Sequence, residues 1–258
     1  MADRAALPPA FLALPIAHRA LHDRAAGRPE NSRAAVRAAI AAGYAIEIDI
    51  QPSADGVPMV FHDYDLRRLT GQPGRIRGRT ATELGALTLL GADEGIPTLA
   101  EILSLVAGRV PLLIEIKDQD GAMGPAVGDL ERAVAADLQG YRGPVALMSF
   151  NPHSVAALAA AAPHLPRGLT TSAFRPADWP LLPAAVRDRL RDIPDLHATG
   201  SCFISHEASD LGRPLVAALK ADGIHILCWT IRSPEAEAEA RRIAENVTFE
   251  HYPAAHAA

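Results

Sequence analysis

The chain has 258 residues, 49% of them hydrophobic and 21% charged, an ordinary globular balance at a length near the roughly 250 residues of one (β/α)8 barrel. The net charge of −5 argues against nucleic acid or an anionic membrane as the main partner. Two cysteines, Cys202 and Cys228, sit in apolar runs and read as buried free thiols rather than a disulfide framework.

In chain order, the N-terminal apolar stretch is short and broken by Pro8, Pro9 and Pro15. No secretory signal or membrane span is expected there, and a cytoplasmic enzyme is the default. Strand-like runs follow at 13–18, 45–51, 58–62, 111–117, 145–150, 167–171, 202–206, 224–230 and 246–250. Helical segments with cap signals lie between most of them. Asn31 and Ser32 cap a helix that stops at Gly43, and Thr98 with Glu101 forms a capping box. Asn151-Pro152 and Ser233-Pro234 each place a cap before a proline at the first helical position. Gly223 stands where a helix ending near Ala221 needs a left-handed residue.

Alternation of this kind predicts a parallel sheet with helical crossovers. One gap breaks it: Asp49 to Pro58 is too short for a crossover helix, and Ala54-Asp55-Gly56 is a turn signal. The run 58–62 is therefore expected to return antiparallel to its predecessor or to lie on the barrel rim. Setting it aside leaves eight strands and a TIM-type barrel as one catalytic domain over 1–258. An open doubly wound sheet lacks support, because no glycine-rich phosphate loop follows the first strand. The irregular stretch 63–97, with Arg67, Arg68, Arg75, Arg77 and Arg79, reads as a small insertion over the active-site face or as a solvated basic loop.

Four motifs end predicted strands, where barrel enzymes place their chemistry. They are Ile16-Ala17-His18-Arg19, Ile46-Glu47-Ile48-Asp49-Ile50, Val60-Phe61-His62-Asp63 and Leu113-Ile114-Glu115-Ile116-Lys117. Alone, the His-Arg pair is an ordinary polar strand end. Strand alternation puts Glu47 and Asp49 on one face and the isoleucines on the other, and it pairs Glu115 with Lys117. Adjacent carboxylates in a core strand are costly without a cation between them. Three of them on neighbouring strands suit a hard divalent cation, Mg²⁺ or Ca²⁺, better than zinc. Glu47, Asp49 and Glu115 with a phosphodiester carry −4, which a divalent ion, Arg19 and Lys117 balance.

The ordered set His18-Arg19, Pro29-Glu30-Asn31-Ser32, Glu47-x-Asp49, Asp55-Gly56-x-Pro58-x-Val60-x-His62-Asp63, Pro97-Thr98-Leu99 and Glu115-x-Lys117 resembles the glycerophosphodiester phosphodiesterase family over nearly the whole chain. Ser149-Phe150 and Trp229-Thr230 extend the likeness. The resemblance implies a TIM barrel, a divalent metal, and hydrolysis of a small-molecule glycerophosphodiester to glycerol phosphate and an alcohol. On it, His18 and His62 correspond to the acid–base pair, Glu47, Asp49 and Glu115 to metal ligands, and Arg19 and Lys117 to phosphate-side cations. Glu30 falls behind the metal ligands as a supporting group. Trp229 corresponds to an aromatic wall against glycerol, and reads equally well as a barrel-filling tryptophan.

Three departures stand out: Ala20 where the family has glycine, Glu250 where many members have aspartate, and an irregular stretch before Pro29 that holds His22 and Asp23. His153, His164, His197, His225, His251 and His256 match no motif and read as surface or packing residues, and His206 is given no role. Two alternatives remain, a lysophospholipase D-type phosphodiesterase and a non-catalytic phosphodiester-binding barrel. The second requires a lost histidine or carboxylate, and all five are present.

Overall fold

A computed structural model describes residues 4–256. Among the described residues nine strands form: β1 (Ile16–Ala17), β2 (Ala45–Pro52), β3 (Pro58–Val60), β4 (Leu112–Ile116), β5 (Val145–Ser149), β6 (Arg167–Thr171), β7 (Phe203–Glu207), β8 (His225–Ile231) and β9 (Asn246–Phe249). Eight run parallel in the ring order β1-β9-β8-β7-β6-β5-β4-β2, and β1 pairs with both β9 and β2, which closes the barrel. β3 is the antiparallel return strand expected from the short gap. Its placement follows from strand length. β1 pairs with β2 only at Ala45 and Ile46, so the same edge of β2 is free at Ile50–Pro52, and β3 occupies it.

The crossover helices are α1 (Arg33–Ala42), α2 (Leu99–Val106), α3 (Asp129–Asp137), α4 (Pro152–Ala161), α5 (Ala184–Arg191), α6 (Pro214–Ala221) and α7 (Pro234–Ala240). Their ends obey local chemistry. Ser32 accepts a hydrogen bond from the Ala35 N–H and caps α1, whose end is set by Gly43 at φ 75°. Thr98 and Glu101 close a reciprocal capping box on α2, and Asn151 and Ser233 cap α4 and α7 ahead of prolines. Gly223 takes φ 79° just past α6.

Two layers of apolar side chains result from strand alternation. Ile46, Ile48, Ile50, Leu112, Ile114 and Ile116 point outward into the helices and are fully buried. Each such side chain contributes about 1.5–3 kcal/mol on leaving water. Alternate residues point inward, and Leu113, Met148, Phe203 and Leu227 fill the lower barrel. Gly168 makes room for one of them, since a Cβ there would stand 2.5 Å from the Phe203 ring. Phe11 plugs the N-terminal end, and Asn246 at the start of β9 donates to the carbonyls of Phe11 and Leu14, both at 2.7 Å.

In the stretch 63–97, Arg67, Arg68, Arg75 and Arg77 are exposed to solvent, while its apolar residues pack inward. Met59, Phe61, Leu66, Leu69, Ile76, Leu84, Leu89 and Ile96 form a hydrophobic cluster of their own beside β3. Among the described residues no helix is long and apolar enough to cross a membrane. Cys202 and Cys228 are both free and buried.

Candidate active site

The site gathers at the C-terminal ends of the strands. His18 is the residue after β1, and its N–H donates to the Phe249 carbonyl at 2.9 Å. Glu47 and Asp49 project inward from β2, and the parallel register sets Asp49 opposite Glu115 of β4. One oxygen of each of these three carboxylates lies within 4.8 Å of the others. All three are buried, at 1%, 1% and 6% exposure, so their repulsion is little screened by water. His62 and Lys117 complete the rim, and with His18, Arg19 and Trp229 they line one cavity of about 180 Å³.

Two cations offset part of the negative charge. The Lys117 ammonium lies 2.6 Å from Glu115 and 3.3 Å from Asp49, and the Arg19 guanidinium lies 3.5 Å from Asp49. The consequence is a split between the carboxyls. Burial, reinforced by Asp49 and Glu115, holds the Glu47 carboxyl well above the usual carboxylate range. Burial opposes ionisation of Asp49 too, but Lys117, His62 and Arg19 outweigh it and hold that carboxyl well below its ordinary value. Burial and the two neighbouring carboxylates thus favour the protonated form of Glu47. An all-oxygen donor set of this kind fits a hard divalent cation, which would take that proton's place.

Both histidines are oriented by carboxylates. His18 Nδ1 sits 2.7 Å from Glu250 and His62 Nδ1 sits 2.8 Å from Asp63. Burial would raise the Glu250 carboxyl, yet its contact with His18 and the nearby Arg232 hold it well below the usual range, so it accepts and Nδ1 of His18 donates. Asp63 is held low as well, by His62 and Arg68 against the effect of burial. In each ring Nε2 is left as the nitrogen available to the cavity. Burial also lowers the His18 pKa below its ordinary value, against the opposing pull of Glu250.

Arg68 ties the two halves of the site together. Its guanidinium makes a two-pronged contact with Asp63, at 2.6 and 2.9 Å, and another with Glu30, at 2.7 and 2.8 Å. Glu30 in turn accepts from Arg19 at 2.8 Å. Glu30 thus holds the Arg19 side chain. Asn31 does not cap the helix. Its amide donates to Asp49 at 2.9 Å and its carbonyl accepts from the Asp49 N–H at 3.2 Å.

Ala20 takes φ 64° and Arg19 takes φ 53°, so the loop keeps the left-handed turn that glycine would favour. Alanine pays about 1–2 kcal/mol for it. The turn lets the Arg19 N–H donate to the Glu47 carboxyl at 2.9 Å and the Ala20 N–H donate to the Glu47 carbonyl at 2.9 Å.

The cavity walls differ in character. Trp229 lines the cavity, donates its indole N–H to the Ser205 carbonyl at 3.0 Å, and meets Phe150 edge-on at 5.5 Å between ring centres. The buried hydroxyls of Thr170, Ser205 and Thr248 also line it and have no hydrogen-bond partner among the described residues. On the other side a larger groove of about 580 Å³ opens past His62 and Lys117, walled by Tyr64, Met123, Phe150 and Trp179. His206 is fully buried against Thr171 at 2.8 Å and does not line the cavity.

In the sequence Asn31 and Asp63 stand within motifs and Glu250 as a departure from the family pattern, but none of them, nor Arg68, carries an assigned role in the site. Asn31 carried a usable signal, since Ser32 alone suffices as the helix cap. Arg68 carried none, because its partners Glu30 and Asp63 come together only in the fold.

Comparison with known proteins agrees with this architecture. The glycerophosphoryl diester phosphodiesterase family model matches residues 18–249. A glycerophosphodiester phosphodiesterase of Caldanaerobacter subterraneus is 29% identical over 216 residues, covering 80% of this chain and 82% of that one. Among solved structures, an Oleispira antarctica phosphodiesterase in complex with the product sn-glycerol-3-phosphate superposes with a TM-score of 0.75 at 27% identity, covering 93% and 94% of the two chains. A glycerophosphodiester phosphodiesterase of Thermotoga maritima shares the fold with a TM-score of 0.69 at 23% identity, over 92% and 94%.

Proposed function

Because this chain belongs to the glycerophosphodiester phosphodiesterase family, we propose that it hydrolyses a glycerophosphodiester to glycerol phosphate and an alcohol, with His18 and His62 as acid–base pair. One observation carries this reading. Two carboxylate-oriented histidines, a buried carboxylate trio and two cations face a single cavity at the strand ends. Glu47, Asp49 and Glu115 would hold one divalent cation, Mg²⁺ or Ca²⁺. When bound, that ion supplies Lewis-acid stabilisation of the charge on the phosphoryl oxygens.

The chain's own groups do the rest. Arg19 and Lys117 bind phosphate oxygens and fix the diester against the carboxylate cluster. The lowered pKa of His18 keeps its Nε2 unprotonated near neutrality, so it removes a proton from the nucleophile, either a water that gives glycerol phosphate directly or the neighbouring glycerol hydroxyl, whose cyclic phosphate a water then opens to glycerol phosphate. His62, steadied by Asp63, acts as the acid and gives a proton to the leaving alkoxide. Trp229 packs against the glycerol carbons, and the free hydroxyls of Thr170, Ser205 and Thr248 offer partners to its hydroxyl groups.

A second reading keeps the chemistry and the leaving group and places an acyl chain on the glycerol side of the diester. The aromatic groove continuous with the cavity favours a diester with an apolar substituent, as in a lysophospholipid cleaved in the lysophospholipase D manner. Measuring kcat/KM on glycerophosphocholine, glycerophosphoethanolamine and a lysophosphatidylcholine separates the two. Preference for the first two supports the first reading, and preference for the lysophospholipid supports the second. Turnover of none of them rejects both.

A further inference from the structure

Outside the carboxylate cluster, a second set of metal-ligating side chains meets on the rim. His22 from the loop after β1 and Glu250 and His251 from the segment after β9 present donor atoms within 4.8 Å of one another. We propose that His22, Glu250 and His251 form a separate binding site for a borderline transition-metal ion of the Zn²⁺ class.

The distances support it. His22 Nε2 lies 3.6 Å from one Glu250 oxygen, and His251 Nε2 lies 3.5 Å from the other. Both are too long for hydrogen bonds. They are close to the roughly 3.3–3.5 Å between neighbouring donors around a tetrahedral ion bonded at about 2.0–2.2 Å. The His22 Nε2 atom is buried and has no hydrogen-bond partner among the described residues, which is unusual for a nitrogen that an ordinary core would satisfy. An ion shared with Glu250 supplies that partner.

Donor chemistry separates this site from the first. Two imidazoles and one carboxylate select zinc-like ions, whereas the oxygen-only set of Glu47, Asp49 and Glu115 selects Mg²⁺ or Ca²⁺. Three protein ligands leave a fourth position for water. The His251 side chain, 60% exposed, provides the entry path. Arg232 contacts Glu250 at 2.7 Å and opposes a cation, but its side chain is 62% exposed and is released into solvent as the ion enters.

The site has a functional consequence because Glu250 also orients His18. An ion here draws the carboxylate's charge away from the imidazole and slows turnover. That inhibition rests on the proposed hydrolysis, and the binding itself does not.

The test is calorimetric titration of Zn²⁺ into the protein held in excess Mg²⁺, for wild type, His22→Ala, His251→Asn and Glu47→Ala. Asparagine tolerates the left-handed backbone that His251 adopts at φ 66°, so this exposed variant folds and decides the question if His22→Ala does not. The expected result is one Zn²⁺ binding event in wild type and Glu47→Ala that is lost in both histidine variants. Zn²⁺ inhibition of wild type is expected to be relieved in His251→Asn. The proposal is overturned if wild type shows no such event, or if the event survives in the histidine variants. It is equally overturned if the event disappears only in Glu47→Ala, which would put the ion in the carboxylate cluster.

Discussion

Nδ1 of His18 and a carboxylate oxygen of Glu250 stand 2.7 Å apart, although 232 positions separate them in the chain. β1 and β9 are neighbours in the closed ring, and each contributes the residue just past its end. The carboxylate fixes the ring with its proton on Nδ1 and its lone pair toward the cavity. Glu250→Gln keeps the size of the side chain and removes the charge. It is expected to lower kcat about 10- to 100-fold, the range seen when a partner that orients a histidine is lost, with little change in KM. Unchanged kcat in this variant would remove Glu250 from the account.

Arg68 predicts a coupled defect. Its side chain is half-exposed, so its ion pairs are partly screened and its effect on folding is small. Its removal nonetheless frees Asp63 from His62's side of the site and Glu30 from Arg19's side. Arg68→Met is expected to lower kcat/KM about tenfold, equivalent to about 1.4 kcal/mol, through both kcat and KM. Arg68→Lys is expected to recover only part, because an ammonium cannot grip two carboxylates in a two-pronged manner. A loss of melting temperature without a loss of rate would mark Arg68 as structural only.

The two histidines are expected to differ by leaving group. His18→Ala and His62→Ala should each lower turnover of an alkyl glycerophosphodiester about 10²–10⁴-fold. A nitrophenolate leaves without needing a proton. With His62 as the acid, His62→Ala is partly spared on a nitrophenyl diester and His18→Ala is not. Sparing of His18→Ala instead reverses the two roles, and near wild-type rates in both variants reject the pair.

The carboxylate cluster links metal, pH and stability. Glu47 keeps its proton above the usual carboxylate range, so the metal-free fold binds more protons than the unfolded chain. Its stabilising contribution is present below the ordinary glutamate pKa and is lost as pH rises through the raised value. A bound cation replaces that proton, so the melting-temperature gain on adding Mg²⁺ or Ca²⁺ grows over the same window. Thermal melts at about pH 5 and about pH 8 should show the larger gain at the higher pH, set against ordinary carboxylate pKa values near 4. An equal gain at both, or a gain retained in Glu47→Ala, contradicts this.

Much of the architecture was legible because it depends on local rules. Alternation along Ile46–Ile50 and Leu113–Lys117 already fixed which side chains face the barrel interior, and the short gap before Pro58 already required a return strand. The carboxylates and both histidines followed, since each lies on or just past a strand. What stayed hidden depends on contacts distant in sequence. Glu250 meets His18 only because the ring closes between β9 and β1. Arg68 meets Glu30 only because the 63–97 stretch folds on its own apolar cluster, a cluster whose residues lack any regular period. Asn31 was masked by a competing local role, since asparagine before a helix ordinarily reads as a cap.

The central claim is cation-dependent hydrolysis of a glycerophosphodiester at the cluster of Glu47, Asp49 and Glu115, and ³¹P NMR of glycerophosphocholine turnover tests it most directly. With Mg²⁺ or Ca²⁺ present, the diester resonance should give way to that of glycerol phosphate. Chelation should stop the conversion, restored cation should resume it, and Glu47→Ala should fail to respond. Conversion that continues undiminished after exhaustive chelation, or a wild-type protein that leaves the diester resonance untouched with either cation, would contradict the account.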